Sequence, residues 1–291
     1  MQRPKDLIQA EEVALDAFID RISHLPPTPT LMIQLIDLFR QSDADVDQIV
    51  ALLRRDPALS LEVIRRCNNA RFAGDSPVRD INAAVFRLGF HEVYKMVVSM
   101  CGMRTLTAKE VPGFSAEALR RHSCIAAIAA GMLALSLGES EGIAFTAGLL
   151  HDVGKLILAL GEGEKYVALM DHCHRTGTSL SMTEKVSFGF NHKEVGARLL
   201  RRWGAPDEVS LPALMPLEVD PEVELHRIVV ITKLASLLAQ YIEQEKPAVP
   251  FSGLTEVRPL TEAINLDDVH LLAWEGQVRS KVKELPATLT A

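Results

Sequence analysis

The chain has 291 residues and a mass of 32.0 kDa, enough for one large domain or two modest ones. Apolar residues make up 48% and charged residues 24%, which excludes a disordered chain or a collagen-like repeat; with only 5% aromatics, the core must come from aliphatic side chains that suit helix packing. A formal charge of −7 excludes a general basic field for nucleic acid or membrane, and the four cysteines, at 67, 101, 124 and 173, lack the spacing of a zinc scaffold.

Thr28-Pro29 reads as an N-cap and a first-turn proline, opening a helix striped by Leu31, Leu35, Leu38 and Phe39. Asp45-Val46-Asp47-Gln48 is a capping-box candidate before Ile49, Leu52 and Leu53. Asp56-Pro57 opens a third helix carrying Leu59, Val63, Ile64 and Cys67; Asn68-Asn69, residues that tolerate the left-handed region, are expected to stop it. After a loop from Gly74 to Pro77, Asp80 caps a short helix closed by Gly89, and a longer helix covers about 91–107. Val111-Pro112-Gly113 is the best internal boundary. Ser115 then caps a long Ala-rich helix that runs to Gly138, and the next carries Ile143 to Leu150 and reaches His151-Asp152. Helix resumes after Gly154 through Leu160, and Gly161 to Gly163 reads as a turn. Asn191-His192-Lys193-Glu194 is a second capping box, opening a helix to Trp203-Gly204. Asp220-Pro221 opens an apolar helix to about Gln244, residues 246–265 read as irregular, and a terminal helix spans about Asp267 to Glu284. The expected fold is all-α. Met1 to Asp6 lacks the apolar core of a signal peptide, and no run approaches about 18 uninterrupted apolar residues, so a cytoplasmic protein with reduced thiols and no membrane span is expected.

The sharpest local feature is Gly148-Leu149-Leu150-His151-Asp152-Val153-Gly154-Lys155. An imidazole beside a carboxylate can bind a divalent metal, and the carboxylate can bridge two. His122 stands 29 residues upstream on the preceding helix, so two antiparallel neighbours can bring it beside His151 and Asp152. Lys155 can hold a phosphate as a point charge or be a solvated lysine. His172 and His174 flank Cys173, but neighbours two apart diverge on a helix, which argues against a metal cluster there.

Many further stretches in order, Leu25-Pro26, Asp56-Pro57-Ala58-Leu59, Asn68-Asn69-Ala70, Ile81 to Val85 with Leu88-Gly89, Ala147 to Gly154, and His192 with Val195-Gly196-Ala197 to Leu200 and Trp203, give a chain that resembles the HDOD family across about residues 20–245. That family, the "HD-related output domain" of bacteria, is a divergent branch of the HD phosphohydrolase superfamily. The resemblance implies an N-terminal helical bundle (1–110) packed on an HD-like helical bundle (111–245), with a C-terminal extension (246–291).

An active HD hydrolase resembling this one needs His, His-Asp and a distant Asp. His122, His151 and Asp152 match the first three by position, and Lys233 stands where the resemblance places the late Asp. An ammonium repels a cation: at ~4 Å and an effective dielectric of ~20 each unit interaction is worth about 4 kcal/mol, doubled for a divalent ion. Related cyclic-dinucleotide phosphodiesterases carry a His-His pair before this helix, where residues 211–219 here contain no histidine; His192 matches one of their ligands without its partners. The resemblance therefore implies a vestigial site of His122, His151, Asp152, Lys233 and His192, with no catalytic residue, metal or cofactor. Lys233 is expected either to lean on Asp152 in place of the metal or to extend its amine to water. His122 and His192 read as buried structural histidines or as weak ligands, and His151-Asp152 as a structural pair whose carboxylate orients the ring or as a metal pair. Arginine pairs at 54–55, 65–66, 120–121 and 201–202 are solvated faces or anion patches, with Arg120 and Arg121 the candidates closest to His122.

The function this implies is non-catalytic bacterial signalling through a protein partner or a small nucleotide. Residues 1–24 and 245–291 are too short for a receiver or cyclase domain, so the sensor or effector is expected on another chain or as a small ligand. A metal-dependent phosphohydrolase or cyclic-nucleotide phosphodiesterase with a reduced site, and an inert nucleotide sensor, are the alternatives. Homodimerisation stays open.

Overall fold

Short polar side chains decide where the helices begin, because each helix leaves its first backbone N–H groups without internal partners. In the computed structural model, which describes residues 5–22, 30–41, 46–68, 77–106, 111–214, 227–244 and 249–284, the expected caps are present. Asp56 accepts from the Leu59 N–H at 3.0 Å with Pro57 in the first turn, Asp80 from Ala83 at 3.0 Å, Ser115 from Ala118 at 3.0 Å and Asp267 from His270 at 2.9 Å. Asn191 and Glu194 form the full reciprocal capping box.

The helices are α1 (Lys5–Asp20), α2 (Thr30–Phe39), α3 (Val46–Leu53), α4 (Pro57–Cys67), α5 (Ile81–Leu88), α6 (Phe90–Thr105), α7 (Ala116–Ser136), α8 (Glu141–Leu150), α9 (Val153–Glu162), α10 (Glu164–Thr176), α11 (Leu180–Phe188), α12 (His192–Arg202), α13 (Asp207–Leu214), α14 (Arg227–Glu243), α15 (Val257–Ala263) and α16 (Asp268–Lys283). No strand occurs among the described residues, and the all-α expectation holds. Leu25-Pro26, Thr28-Pro29, Asp45, Asn69-Ala70, Gly74 and Asp220-Pro221 lie outside the described residues.

The chain forms two compact units, Thr28–Thr105 and Met1–Pro27 with Leu106–Ala291. In the smaller, α2 packs on α6 and α5 on α3 and α4, burying Leu35, Ile36, Ile49, Leu53, Val63 and Val85. Phe39 stacks on Tyr94 and Phe90 at 4.2 and 5.5 Å between ring centres. Asn68 caps the end of α4 as expected, with φ −90°, outside the left-handed region. Its amide instead donates to the Val78 carbonyl and accepts from the Val78 N–H, both at 2.8 Å. The returning chain satisfies the side chain, so no left-handed cap is needed.

The larger unit is built on α7, which packs against α8, α14 and α16; the Trp274 indole N–H donates to the Ala129 carbonyl at 3.0 Å and fixes α16 to it. The stretches Ala116–Ser136 and Glu141–Glu162 are apolar and long enough to cross a bilayer, but they are 67% and 89% buried inside this unit. Two sequence expectations change here. Of the stretch expected to be irregular, the described residues 249–265 form a 3-10 turn, Phe251–Gly253, and α15, because Phe251, Val257 and Leu260 are buried against the helices. The turn expected at Gly161–Gly163 is compressed to Gly163, with φ +53°, while Gly161 stays helical under the Phe18 ring.

That contact also moves the division expected at residue 110, since α1 belongs to the larger unit. Arg198 and Arg202 both bind Asp16, Arg202 also reaches Asp20 at 2.7 Å, and the Phe18 and Phe190 ring centres are 4.7 Å apart. The Arg198 hydrogen bond, followed by that of Arg202 and opposed by burial, lowers the Asp16 pKa from 3.8 to about 2. A carboxyl with a depressed folded-state pKa stabilises above its unfolded value and loses that contribution as pH falls through the folded one. Docking of α1 is thus expected to weaken between pH 3.8 and about 2, seen as faster amide exchange in residues 12–20. Unchanged protection there at pH 2 contradicts it.

Candidate functional site

Two glycines place the His-Asp pair. A Cβ on Gly148 would lie 2.7 Å from the Ala126 carbonyl oxygen and 2.8 Å from the Ala127 Cα. Only glycine lets α8 approach α7, which carries His122, this closely. A Cβ on Gly154 would lie 1.8 Å from the His192 carbonyl oxygen and 2.7 Å from the Gly196 N, so the same holds for α9 against α12. His151 and Asp152, between these two crossings at the junction of α8 and α9, face His122 on one side and His192 on the other.

The resulting centre is buried, with His151 1% exposed and Asp152 5%. His122 Nε2 is 3.3 Å from His151 Nε2, and these two atoms lie 3.7 and 3.4 Å from Asp152 Oδ2. His192 Nε2 is 3.9 Å from Asp152 Oδ1. The other ring nitrogens are held from behind. His151 Nδ1 donates to the Gly148 carbonyl at 2.7 Å; His122 Nδ1 meets Glu243 Oε2 at 3.0 Å; His192 Nδ1 meets Glu184 Oε2 at 2.6 Å. A carbonyl or carboxylate oxygen can only accept, so each ring carries a proton on Nδ1 and turns Nε2 toward Asp152. Glu184 is fully buried, and also accepts from the His192 backbone N–H at 2.9 Å and from the Tyr166 hydroxyl at 2.8 Å. Burial and then the Glu184 charge push the Tyr166 phenol far up, so it remains a donor.

Burial alone would raise the pKa of Asp152, but His151 and Lys155, with His122 behind them, hold it well below the usual carboxylate range. Lys155, one turn along α9, puts Nζ 2.5 Å from Asp152 Oδ2. It is paired with Asp152 and mostly buried, and so is not the solvated lysine expected. Lys233 was expected either to lean on Asp152 or to extend its amine to water; the carboxylate acting on it is Glu256. From α14, Ser236, one turn later, puts Oγ 3.1 Å from His151 Nε2 and 3.4 Å from His122 Nε2, and Glu243 meets His122 Nδ1 at 3.0 Å. The ring of His151 is held on Nδ1 by the Gly148 carbonyl, with Asp152 Oδ2 3.4 Å from Nε2. Arg120 and Arg121 sit half-buried on α7 just before His122, and the contacts that build the centre come from other side chains. His172 and His174 are exposed while Cys173 is buried, so these three do not converge.

His122, His151 and Asp152 offer three ligand atoms within 4.8 Å of one another, a two-nitrogen, one-oxygen set of the kind divalent metals accept. They fit such an ion if Lys155 gives up Oδ2. Glu184, Tyr166, Glu243 and Ser236 carried no motif; the only sequence signal for them is a polar side chain inside an otherwise apolar helical run.

The HDOD domain model matches residues 25–215. In sequence the chain is 25% identical over 266 residues to an uncharacterized protein of Treponema pallidum (strain Nichols), covering 88% of this chain and 50% of that one. It is 32% identical over 116 residues to ribonuclease Y of Geobacillus kaustophilus (strain HTA426), covering 38% and 20%. The chain thus spans half or less of the length of these curated relatives. Among solved structures, an HDOD domain protein of unknown function from Geobacter sulfurreducens superposes with a TM-score of 0.76 at 20% identity, over 95% of this chain and 98% of that one. A candidate signal transduction protein from Marinobacter aquaeolei VT8 gives 0.72 at 20% identity, over 97% and 66%. At these identities the structural likeness shows the fold, and the family match, which covers most of the chain, carries the assignment: the chain belongs to the HDOD domain family.

Proposed function

We propose that this chain is a regulatory signalling module that acts by binding a protein partner or a small ligand and does not turn over a phosphoester. The observation that carries the reading is the 2.5 Å contact of Lys155 with Asp152 Oδ2. The oxygen that would face a metal already has a cation, supplied by the chain itself. From α14 the Nε2 atoms of His122 and His151 meet Ser236, a neutral hydroxyl, while Glu243 lies behind His122 at Nδ1, and the burial of His122, His151, Asp152 and His192 leaves little room for a substrate phosphate. The likeness to a signal transduction protein supports the same class.

A second reading, a metal-dependent phosphohydrolase, is favoured by one observation. His122 Nε2 and His151 Nε2 stand 3.3 Å apart with Asp152 Oδ2 within 3.7 Å of both. At that spacing one shared proton or one metal ion satisfies both nitrogens. With a metal, His122, His151 and Asp152 would hold it, and it would supply Lewis acidity toward a phosphate oxygen. A ribonuclease among the relatives is in keeping with this. The readings separate in one experiment: purified protein is dialysed against manganese, iron or zinc, its metal content is measured, and bis(p-nitrophenyl) phosphate and cyclic dinucleotides are offered. The expected result is sub-stoichiometric metal and no turnover. Stoichiometric metal with turnover that disappears in Asp152→Asn establishes the second reading.

A further inference from the structure

Helix α16 is apolar on two opposite faces. One packs inside the larger unit: Leu271, Trp274, Val278 and Val282 recur at helical spacing and are buried, and the Trp274 indole is tied to α7. On the other, Val269, Leu272, Ala273 and Gly276 recur at i, i+3, i+4 and i+7, and the stripe continues into Ser280 and Lys283. All six are exposed, Val269 by 75% and Leu272 by 58%. A Cβ on Gly276, in the middle of this face, would meet nothing within 4 Å. A surface helix needs one apolar stripe to pack on its own domain, so the second is left for a contact beyond it.

The charges of α16 are divided between its ends. Asp267 and Asp268 stand at the start, and Arg279, Lys281 and Lys283 at the end. Several are engaged locally: Asp267 caps the His270 N–H, Arg279 holds Glu275 at 2.8 Å and Lys281 reaches Glu284 at 3.3 Å. Asp268 and Lys283 have no ion pair among the described residues.

We propose that this face binds a second copy of the chain, α16 against α16, antiparallel about a twofold axis near Gly276. A twofold contact requires a patch that complements itself, and an apolar stripe with an acid at one end and a base at the other does so only antiparallel. Asp268 then lies level with Lys283 of the second copy at both ends of the contact, and the two helix dipoles oppose. A parallel pair would set Asp268 against Asp268 and Lys283 against Lys283. Antiparallel pairing also drops each Leu272 between Gly276 and Ser280 of the second copy, a large side chain against small ones, and lays Val269 along the stem of Lys283. A helix of 16 residues gives a contact only about 24 Å long. That is well short of the ~1,600 Å² of a standard interface, so a reversible dimer with a Kd on the order of 50 µM is expected. Such a dimer requires neither an inert nor an active His-Asp centre.

Sedimentation equilibrium of the full chain between about 2 and 500 µM tests this. The parent is expected to pass from monomer to dimer across that range. Leu272→Glu and Val269→Glu are each expected to raise the Kd at least about tenfold, because the twofold axis removes two apolar side chains from the contact at once. At about 2 µM, where the parent is monomeric, both should melt as it does, since these positions are exposed. Asp268→Lys and Lys283→Glu are each expected to raise the Kd about threefold at low salt, and the two together to restore it. Should a glutamate variant fail to fold, this charge exchange decides. A parent that stays monomeric at 500 µM overturns the proposal, whatever other protein covers the face. A dimer whose Kd is unchanged in both glutamate variants also overturns it, because the contact then lies elsewhere. A double charge variant weaker than either single one overturns the antiparallel arrangement.

Discussion

Gly154→Ala is expected to destabilise the protein by about 3 kcal/mol, the upper end of the usual cost of overpacking. The reason is geometric. The new Cβ would lie 1.8 Å from the His192 carbonyl oxygen and 2.7 Å from the Gly196 N, both backbone atoms that no side-chain rotation can move aside. Relief requires α9 and α12 to separate, which draws Asp152 away from His192. Gly276→Ala is the control. A Cβ there meets nothing within 4 Å, in the exposed middle of α16, so helix propensity alone should stabilise the protein by about 1 kcal/mol. Urea unfolding of the two variants beside the parent checks both signs. If Gly154→Ala behaves like Gly276→Ala, the close approach of α9 and α12 is not what positions the centre.

The sequence pattern Gly148-x-x-His151-Asp152-x-Gly154 was read for its histidine and aspartate, and its glycines turn out to be equally informative. Each marks a helix crossing, which single-sequence periodicity cannot reveal because the partner helix lies 22 to 38 residues away. Helix starts were legible wherever a polar cap stood before an apolar stripe, as at Asp56, Asp80, Ser115, Asn191 and Asp267. They were hidden where the helix relies on packing. α10 starts at Gly163, Ser179 before α11 makes no side-chain cap, and α13 holds Pro212. The centre was half legible. His122 meets His151 and Asp152, as its spacing suggested, and His192, singled out by the resemblance, lies on the other side of Asp152. The cation beside Asp152 is Lys155, one turn along the same helix. Sequence distance along α14 does not show which of its side chains reach the histidines; Ser236 and Glu243 do.

Lys155→Met then tests the role of the lysine the structure does place there. It removes the ammonium 2.5 Å from a carboxylate that is 5% exposed and ionised. Removing one partner of a buried pair costs about 3–5 kcal/mol, because the remaining charge loses its partner without regaining water. Lys155 itself is 20% exposed, which places the expected loss nearer 3 kcal/mol. Asp152→Asn in the same chain removes that stranded charge, so the double variant should recover part of the loss, and a double-mutant cycle in urea isolates the coupling. A loss under about 0.5 kcal/mol would mean that the lysine is solvated in practice and Asp152 is held by its histidines alone. Adding manganese or zinc to Lys155→Met gives a further result. Once the ammonium is gone, His122, His151 and Asp152 present an N,N,O set to the ion, and a metal-dependent rise in midpoint that is absent from the Asp152→Asn double variant is expected. Lysine and metal would then be alternative occupants of one position beside Asp152, and this chain, by encoding the lysine, has filled that position itself.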